Sequence, residues 1–364
     1  ENPAGWIHRV ARHRLVDALR REDIHDRALS FAQQSFESSE SLVDEWLSEA
    51  ELPNSLLRMM FVSCHPELDR ASQIAFTLKT LCGFGVLEIS RALLLPKETV
   101  KKRLQRARQK LSDLRPPLEL PAPDELPSRI EGVHEVLYLL FNEGYSTSRG
   151  VDPIRDDLCE SGARLCHLLC EHGMGSPSTQ ALLSLMLFHS SRLKSRVDAE
   201  GAPILLEDQD RTTWDHRLIA AAELWFYRAS REIDTPTTLH LEAAIARHHS
   251  RATSVADTDW ASIVGIYDRL LSIHPSPVYT LNRAVARSQA GDSGLALSEL
   301  DELRGHPDMR EYGLVDAARG RILEESDRIG EALQCYRSAL ENATADHEKQ
   351  FLASKIAALD GSEG

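Results

Sequence analysis

Between Lys97 and Arg115 eight lysines and arginines stand against two acids, Glu98 and Asp113, a local charge of +6. A second pattern runs through the same residues. Val100, Leu104, Ala107, Leu111 and Leu114 recur at steps of 4, 3, 4 and 3, one apolar stripe at the helical period. A segment that is both cationic and striped has to be a helix lying on a support along its leucine edge. At roughly 100° per residue from Val100, the opposite face carries Lys102, Gln105, Arg106 and Gln109, flanked by Lys101. These long donors suit the base edges and phosphates of a major groove.

A basic run is more often a plain solvated face, and three features set this one apart. Pro96 marks the helix start, where a missing backbone donor costs nothing. Glu88, Ile89, Ala92 and Leu93 predict a short amphipathic helix just upstream, after a turn loosened by Gly83 and Gly85. The remainder of the chain is acidic. The whole carries −14, with +3 in residues 1–21 and +6 in 97–115, so everything else sums to −23. Two basic patches in an acidic body imply confined contact with nucleic acid, in helix-turn-helix form.

The string PKETVKKRLQRARQKL resembles the promoter-reading helix of extracytoplasmic-function (ECF) sigma factors, whose pattern is roughly P-x-x-T-V-x-x-R-L-x-R-A-R-x-x-L. Pro96, Thr99, Val100, Arg103, Leu104, Arg106, Ala107, Arg108 and Leu111 match it. The resemblance implies that residues 54–115 form the domain that reads the −35 element of promoter DNA, with Leu56–His65 as its first helix and RNA polymerase core as partner. By position, Lys101, Lys102, Gln105 and Arg106 would approach bases, and Arg103 and Arg108 would serve phosphates or packing. Lys97, Thr99 and Gln109 join the DNA-binding set.

Residues 1–21 are similar to the end of the −10-reading domain of the same family, with Arg9 and Arg12 toward DNA and Trp6, Val10, Leu15 and Leu19 near one side. An ordinary amphipathic surface helix reads equally well there. Residues 22–53 are acidic and Ser-rich, a linker in this reading. The family's polymerase-gripping segment does not precede Asn2, and the chain does not begin with Met, so it is expected to be part of a longer protein.

Five prolines in residues 116–127 (Pro116, Pro117, Pro121, Pro123, Pro127) exclude a regular helix and suggest a domain boundary. From residue 128 to 364 helical periodicity dominates: Ile130–Phe141, Leu158–Cys170, Thr179–Leu193, His216–Arg231 and Leu239–His248. Arg196–Leu206, with a turn at Glu200–Gly201 and short apolar flanks, predicts a small β-hairpin. Tyr267, Leu300 and Tyr336 are spaced 33 and 36 apart; Ala284 and Gly320 precede Leu300 and Tyr336 by sixteen, Ala296 and Ala332 by four. This is close to the tetratricopeptide (TPR) pattern, in which small residues sit where two helices touch. The strings Val136–Gly150, Leu205–Asp215 and Ser276–Ala286 resemble those of ECF sigma factors with a C-terminal TPR-like extension. The expected fold is therefore all-α: a helix-turn-helix domain, then a TPR-like helical extension with one small β-hairpin.

Outside the basic helices the densest polar groups are Asn142, Glu143, Gly144 and Tyr145, and Asp208, Gln209, Asp210, Arg211 and Trp214. Glu143, Glu207, Asp208 and Asp210 could form a carboxylate site for a hard cation or small ligand. The favoured reading is structural: Asp208 and Asp210 cap a helix starting near Thr212 and accept from Arg211 or Tyr145. Cys159, Cys166, His167, Cys170 and His172 lie on or just past one helix, whereas closed zinc sites draw ligand pairs from two elements, so no metal is assigned. No phosphate loop, nucleophile elbow or H-E-x-x-H occurs, so neither cofactor nor enzymatic activity is expected.

No apolar run reaches the eighteen residues of a membrane span, the longest being Ala181–Phe188, and no signal-peptide pattern is present. Six cysteines in 364 residues fit a reducing compartment. A cytoplasmic protein without a membrane partner is expected. Two other functions remain open: a one-component regulator whose helical half binds a ligand or peptide, and a TPR-type scaffold with no DNA role. Residues 116–364 carry −16 and could fold back on the +6 helix or contact polymerase.

Overall fold

A computed structural model describes residues 53–360 except 94, 117, 146–154, 199–203, 232, 311 and 344–345. The described residues are all-α, with fifteen α-helices and three short 3-10 turns. Arg9, Arg12 and the acidic stretch through residue 52 lie outside them.

Four helices form the N-terminal body: α1 (Pro53–Ser63), α2 (Arg70–Thr80), α3 (Val86–Ala92) and α4 (Lys97–Leu114). Their ends follow local chemistry. Asp69 caps α2 by accepting from the Ser72 amide at 2.9 Å and its hydroxyl at 2.7 Å. Gly83 takes φ +72° between α2 and α3, and the Gly85 amide donates to the Glu88 carboxylate at 2.6 Å. Arg115 ends α4 in the left-handed region, φ 45°, its amide bonded to Leu111 O.

The next five helices are α5 (Leu126–Tyr145), α6 (Asp156–Glu171), α7 (Pro177–Ser190), α8 (His216–Arg231) and α9 (Thr238–Arg251). Helix α7 is central, packed by α5, α6, α8 and α9. Its run Ala181–Phe188 is buried all round, as a helix without a polar face must be. Ser184 is tolerated inside because its hydroxyl donates to Ala222 O at 2.8 Å.

The N-terminal body packs through α1 and α2 onto α5 and α6, and one core runs unbroken from Leu57 to Ala286. Arg70 crosses this junction to Gly132 O (3.0 Å) and to the Glu135 carboxylate (2.5 Å), and Arg129 returns to Phe61 O (2.6 Å). The Pro-rich segment is an irregular connection laid over that shared core.

Six helices complete the chain: α10 (Trp260–Ile273), α11 (Pro277–Gln289), α12 (Ser293–Arg304), α13 (Leu314–Glu325), α14 (Ile329–Asn342) and α15 (Asp346–Asp360). Each packs on its successor, over two further small cores. Ala284, Ala296 and Ala332 are fully buried, and a Cβ on Gly320 would stand 3.0 Å from the Tyr336 ring.

Two expectations need correction. The β-hairpin expected over Arg196–Leu206 is not supported: the described residues contain no strand. A 3-10 turn (Leu193–Ser195) leads in, the Ile204 amide donates to Arg196 O at 2.7 Å, and a further turn closes from the Asp208 amide to Leu205 O. Among the described residues the Arg196–Ile204 contact amounts to a single bridge at Val197, and the Arg196 side chain reaches the C-terminus of α5. Leu114 does not continue the buried stripe: it is 40 % exposed, because the left-handed turn at Arg115 comes before another helix can cover it. No helix among the described residues is long and apolar enough to cross a membrane.

Candidate nucleic-acid interface

Helix α4 lies with its inner edge sealed. Val100, Leu104 and Ala107 are essentially inaccessible and Leu111 is buried, against α2 and α3, where Ile89 is fully covered. The Ser90 hydroxyl donates to Leu95 O at 2.6 Å and fixes the turn between α3 and α4. Burying the two leucines and the valine contributes about 1.5–3 kcal/mol each, so the edge that faces inward is not free to rotate.

The opposite edge faces solvent. Lys97, Lys101, Lys102, Gln105, Arg106 and Gln109 are all exposed, and Thr99 and Arg103 are half-buried. Some of these side chains are engaged along the helix. Lys101 donates to Glu98 at 2.7 Å, and that hydrogen bond, with Lys102 adding, holds the Glu98 carboxyl below its usual range. Gln109 donates to Asp113 at 2.9 Å, and Lys110 reaches Glu67 at 3.1 Å. Lys102, Gln105 and Arg106 have no hydrogen bond or ion pair among the described residues. Asp69 is held below its usual range first by Ser72, with Arg106 and Arg103 adding, which puts both arginines near the start of α2.

An open cleft of about 490 Å³ runs along this side of α4, lined by Lys79, Val86, Lys101, Leu104, Gln105, Arg108, Gln109 and Ser112. Lys79 had no distinguishing signal in the sequence, being one cation at the end of another helix. Its contribution depends on how α2 crosses α4.

The polar strings of the extension meet elsewhere, around the ends of α5 and α7. Asn142 hydrogen-bonds Tyr138. Tyr145 stacks on Phe141 (5.9 Å between centroids) and lies 4.7 Å from the His189 ring. Gly144 is sterically required, as the Arg155 carbonyl lies 2.7 Å from where a Cβ would stand. Asp210 accepts from the Thr212 amide and hydroxyl, capping the 3-10 turn Arg211–Thr213, while Asp215 accepts from the Arg217 and Leu218 amides and starts α8. Gln209 is buried and donates to Ile204 O at 3.0 Å; Asp208 is exposed.

The acceptors expected for Arg211 and Tyr145 are different from those observed. Arg211 donates to His249 O (2.7 Å), Ala252 O (2.9 Å) and Thr258 Oγ1 (3.3 Å), beside the buried Trp214 ring, and the Tyr145 hydroxyl has no partner among the described residues. The four acids do not assemble: Glu207 pairs with Arg321 and Asp210 with Thr212, and among the described residues no group of three or more His, Cys, Asp or Glu could hold a metal. Cys159 and Cys166 donate to Phe141 O and Thr179 O, and burial pushes the Cys159 and Cys170 thiols up to about 12. His167 packs edge-on to Trp225 at 5.7 Å.

Residues 58–111 match the family model for Sigma-70, region 4, which runs from within α1 into α4 and ends at the last buried residue of the stripe. The chain therefore carries a sigma-70 region 4 domain. An uncharacterized protein of Rhizobium meliloti (strain 1021) is 33 % identical over 357 residues, which cover 98 % of this chain and 84 % of that protein. Residues 129–230 match a family of unknown function, DUF6596, spanning nearly all of α5 to α8. No solved structure matches the chain significantly.

Proposed function

We propose that the chain is an alternative sigma factor of the ECF type, which directs RNA polymerase core to specific promoter DNA in the cytoplasm. Helix α4 reads the −35 element. Lys101, Lys102, Gln105, Arg106 and Gln109 approach base edges, and Lys97, Thr99 and Arg103 contact the backbone. Residues 1–21, with Arg9 and Arg12, serve the −10 element. Helices α10 to α15 form a TPR-like array that, with α5 to α9, regulates activity or contacts polymerase.

One observation carries this reading: Lys102, Gln105 and Arg106 face solvent without a described partner, back to back with a sealed stripe, inside the region 4 match. Donors held in register by a buried edge are what direct readout requires. The shared core supports a role for the extension, since α5 and α6 touch the same helices that hold α4 in place.

The test is a salt titration of binding to a duplex selected from random DNA by the chain with polymerase core. If roughly four to six phosphates are neutralised, log affinity should fall against log salt with a slope of about −4 to −5. A flat response between low and moderate salt would refute the proposal.

A further inference from the structure

Arg192, Arg196 and Arg211 come together with His189, His249 and Tyr145 where α5, α7 and α9 end. Two of the three cations are explained by the helices themselves. Arg196 donates to the Tyr145 carbonyl at the end of α5, its guanidinium 3.7 Å from that residue's ring centroid. Arg211, only 7 % exposed, donates to the His249 and Ala252 carbonyls at the end of α9. Cations offset the partial negative charge of such carbonyls.

Arg192 has no such explanation. Its Nη1 is buried and donates to nothing among the described residues, and its guanidinium lies 5.5 Å from the Tyr145 ring centroid. It is close enough to His189, His249, Arg196 and Arg211 to lower the proton affinity of each, which makes it the hub of the cluster. Burial first, and these cations next, hold both imidazoles neutral. Three further buried polar atoms are unpartnered among the described residues: Arg211 Nε, His249 Nδ1 and the Tyr145 hydroxyl. No described carboxylate forms an ion pair with any of the three arginines. Asp257 lies near enough to favour the charge on Arg211, while Arg192, a half-buried side chain, has no carboxylate partner among the described residues. A partly buried cation without a close counter-charge is costly, and a fork-shaped guanidinium is the group that best recognises a carboxylate or phosphate.

We propose that this cluster is a binding site for a small molecule bearing an oxyanion, carboxylate or phosphoryl, held chiefly by the Arg192 guanidinium with Arg211 Nε and the Tyr145 hydroxyl as further donors. The site joins the two polar strings of the extension, which the DNA-reading function leaves unused. It does not rest on that function, and its test needs no DNA.

Thermal unfolding of the full chain, with inorganic phosphate or acetate compared with sodium chloride at equal ionic strength, decides it. Phosphate also stabilises proteins generically by exclusion, without saturation. Specific binding predicts a saturable rise with at least one oxyanion, roughly 5 °C or more at about 100 times Kd. Arg192→Met should abolish that rise and also raise the midpoint of the ligand-free protein, because a half-buried charge with a buried, unpartnered Nη1 is removed. Arg192→Lys, which keeps the charge and loses the fork, should weaken binding roughly tenfold. Arg58→Met, at an exposed position in α1, should leave the response intact. An Arg192→Met variant with a lowered ligand-free midpoint, or with an undiminished saturable response, overturns the proposal, as does a wild-type chain that responds to neither probe.

Discussion

Gly144 and Gly162 face the same helix pair from opposite sides, and alanine should act on them with opposite sign. A Cβ at Gly144 would lie 2.7 Å from the Arg155 carbonyl oxygen, 2.7 Å from Leu158 Cβ and 2.8 Å from the Cys159 amide nitrogen. Optimal carbon contacts are about 3.5–4.0 Å, so α5 and the start of α6 would have to part by roughly 1 Å. Two of the three obstacles are backbone, so no side-chain rotation relieves the clash. That puts Gly144→Ala at the upper end of overpacking costs, about 3 kcal/mol, or roughly 6–12 °C in midpoint for a body of this size. At Gly162 the nearest atoms to a Cβ are 3.5–3.6 Å away, an ordinary contact. Gly162→Ala should be neutral or stabilise by up to about 1 kcal/mol, since alanine is the better helix former. Urea unfolding followed by circular dichroism measures both. A Gly144→Ala variant within about 0.5 kcal/mol of wild type, or a Gly162→Ala variant that loses as much as Gly144→Ala, would refute the steric argument.

Other outcomes follow from single contacts. His134 is buried against Thr179 (2.7 Å), and burial lowers its pKa to about 4. The unfolded chain takes up this proton near pH 6.5 and the folded chain refuses it, so stability present above 6.5 is lost as pH falls toward 4, by up to roughly 3 kcal/mol. His134→Gln should flatten part of that decline in denaturant titrations from pH 7 to 4.5, with His240, also lowered to about 4, and the buried His189 and His249 keeping the rest; an unchanged decline contradicts the assignment. Glu98→Gln removes a carboxylate beside Lys97 and frees Lys101, so one more cation is available to the DNA and the salt slope of binding should steepen by about 0.9; an identical slope would mean that this end of α4 stays off the DNA. Leu104→Ala should cost about 2–5 kcal/mol, whereas Leu114→Ala, at an exposed position, should stay within about 0.5 kcal/mol. Equal losses at the two positions would show that the buried edge of α4 has been placed wrongly.

Much of the candidate interface was legible because its information is local. A 3.6-residue stripe, a proline at the start and a donor face opposite are all carried by eighteen consecutive residues, and α4 runs from Lys97 to Leu114. Helix α7 was legible for a related reason, since a run apolar on every side can only be buried. The false hairpin failed on a non-local condition. Short flanks around a Gly turn make strands only where neighbouring segments let the pairing lengthen, and here a 3-10 turn ends at Ser195 and another turn begins at Leu205, leaving a single bridge at Val197 among the described residues. Arg192 was invisible in the same way. In sequence it is one cation after an apolar helix, and its meaning comes from Arg211 and His249, brought in from segments 19 and 57 residues away. The prolines after Arg115 announce an irregular chain, yet nothing local reveals that α1 and α2 share a core with α5 and α6. That packing also bears on truncation: removing the extension would uncover the apolar surface of α1 and α2, so point variants on α4 test DNA reading more cleanly.

The most direct measurement is the base preference of Gln105→Ala. Binding to a panel of duplexes differing by one base pair at a time should show discrimination lost at one position, by about 1–3 kcal/mol, with preferences elsewhere unchanged. Lys102→Ala should instead weaken all duplexes equally or relax a different position. Uniform weakening by Gln105→Ala, or no change on any duplex, would contradict the claim that the exposed face of α4 reads sequence.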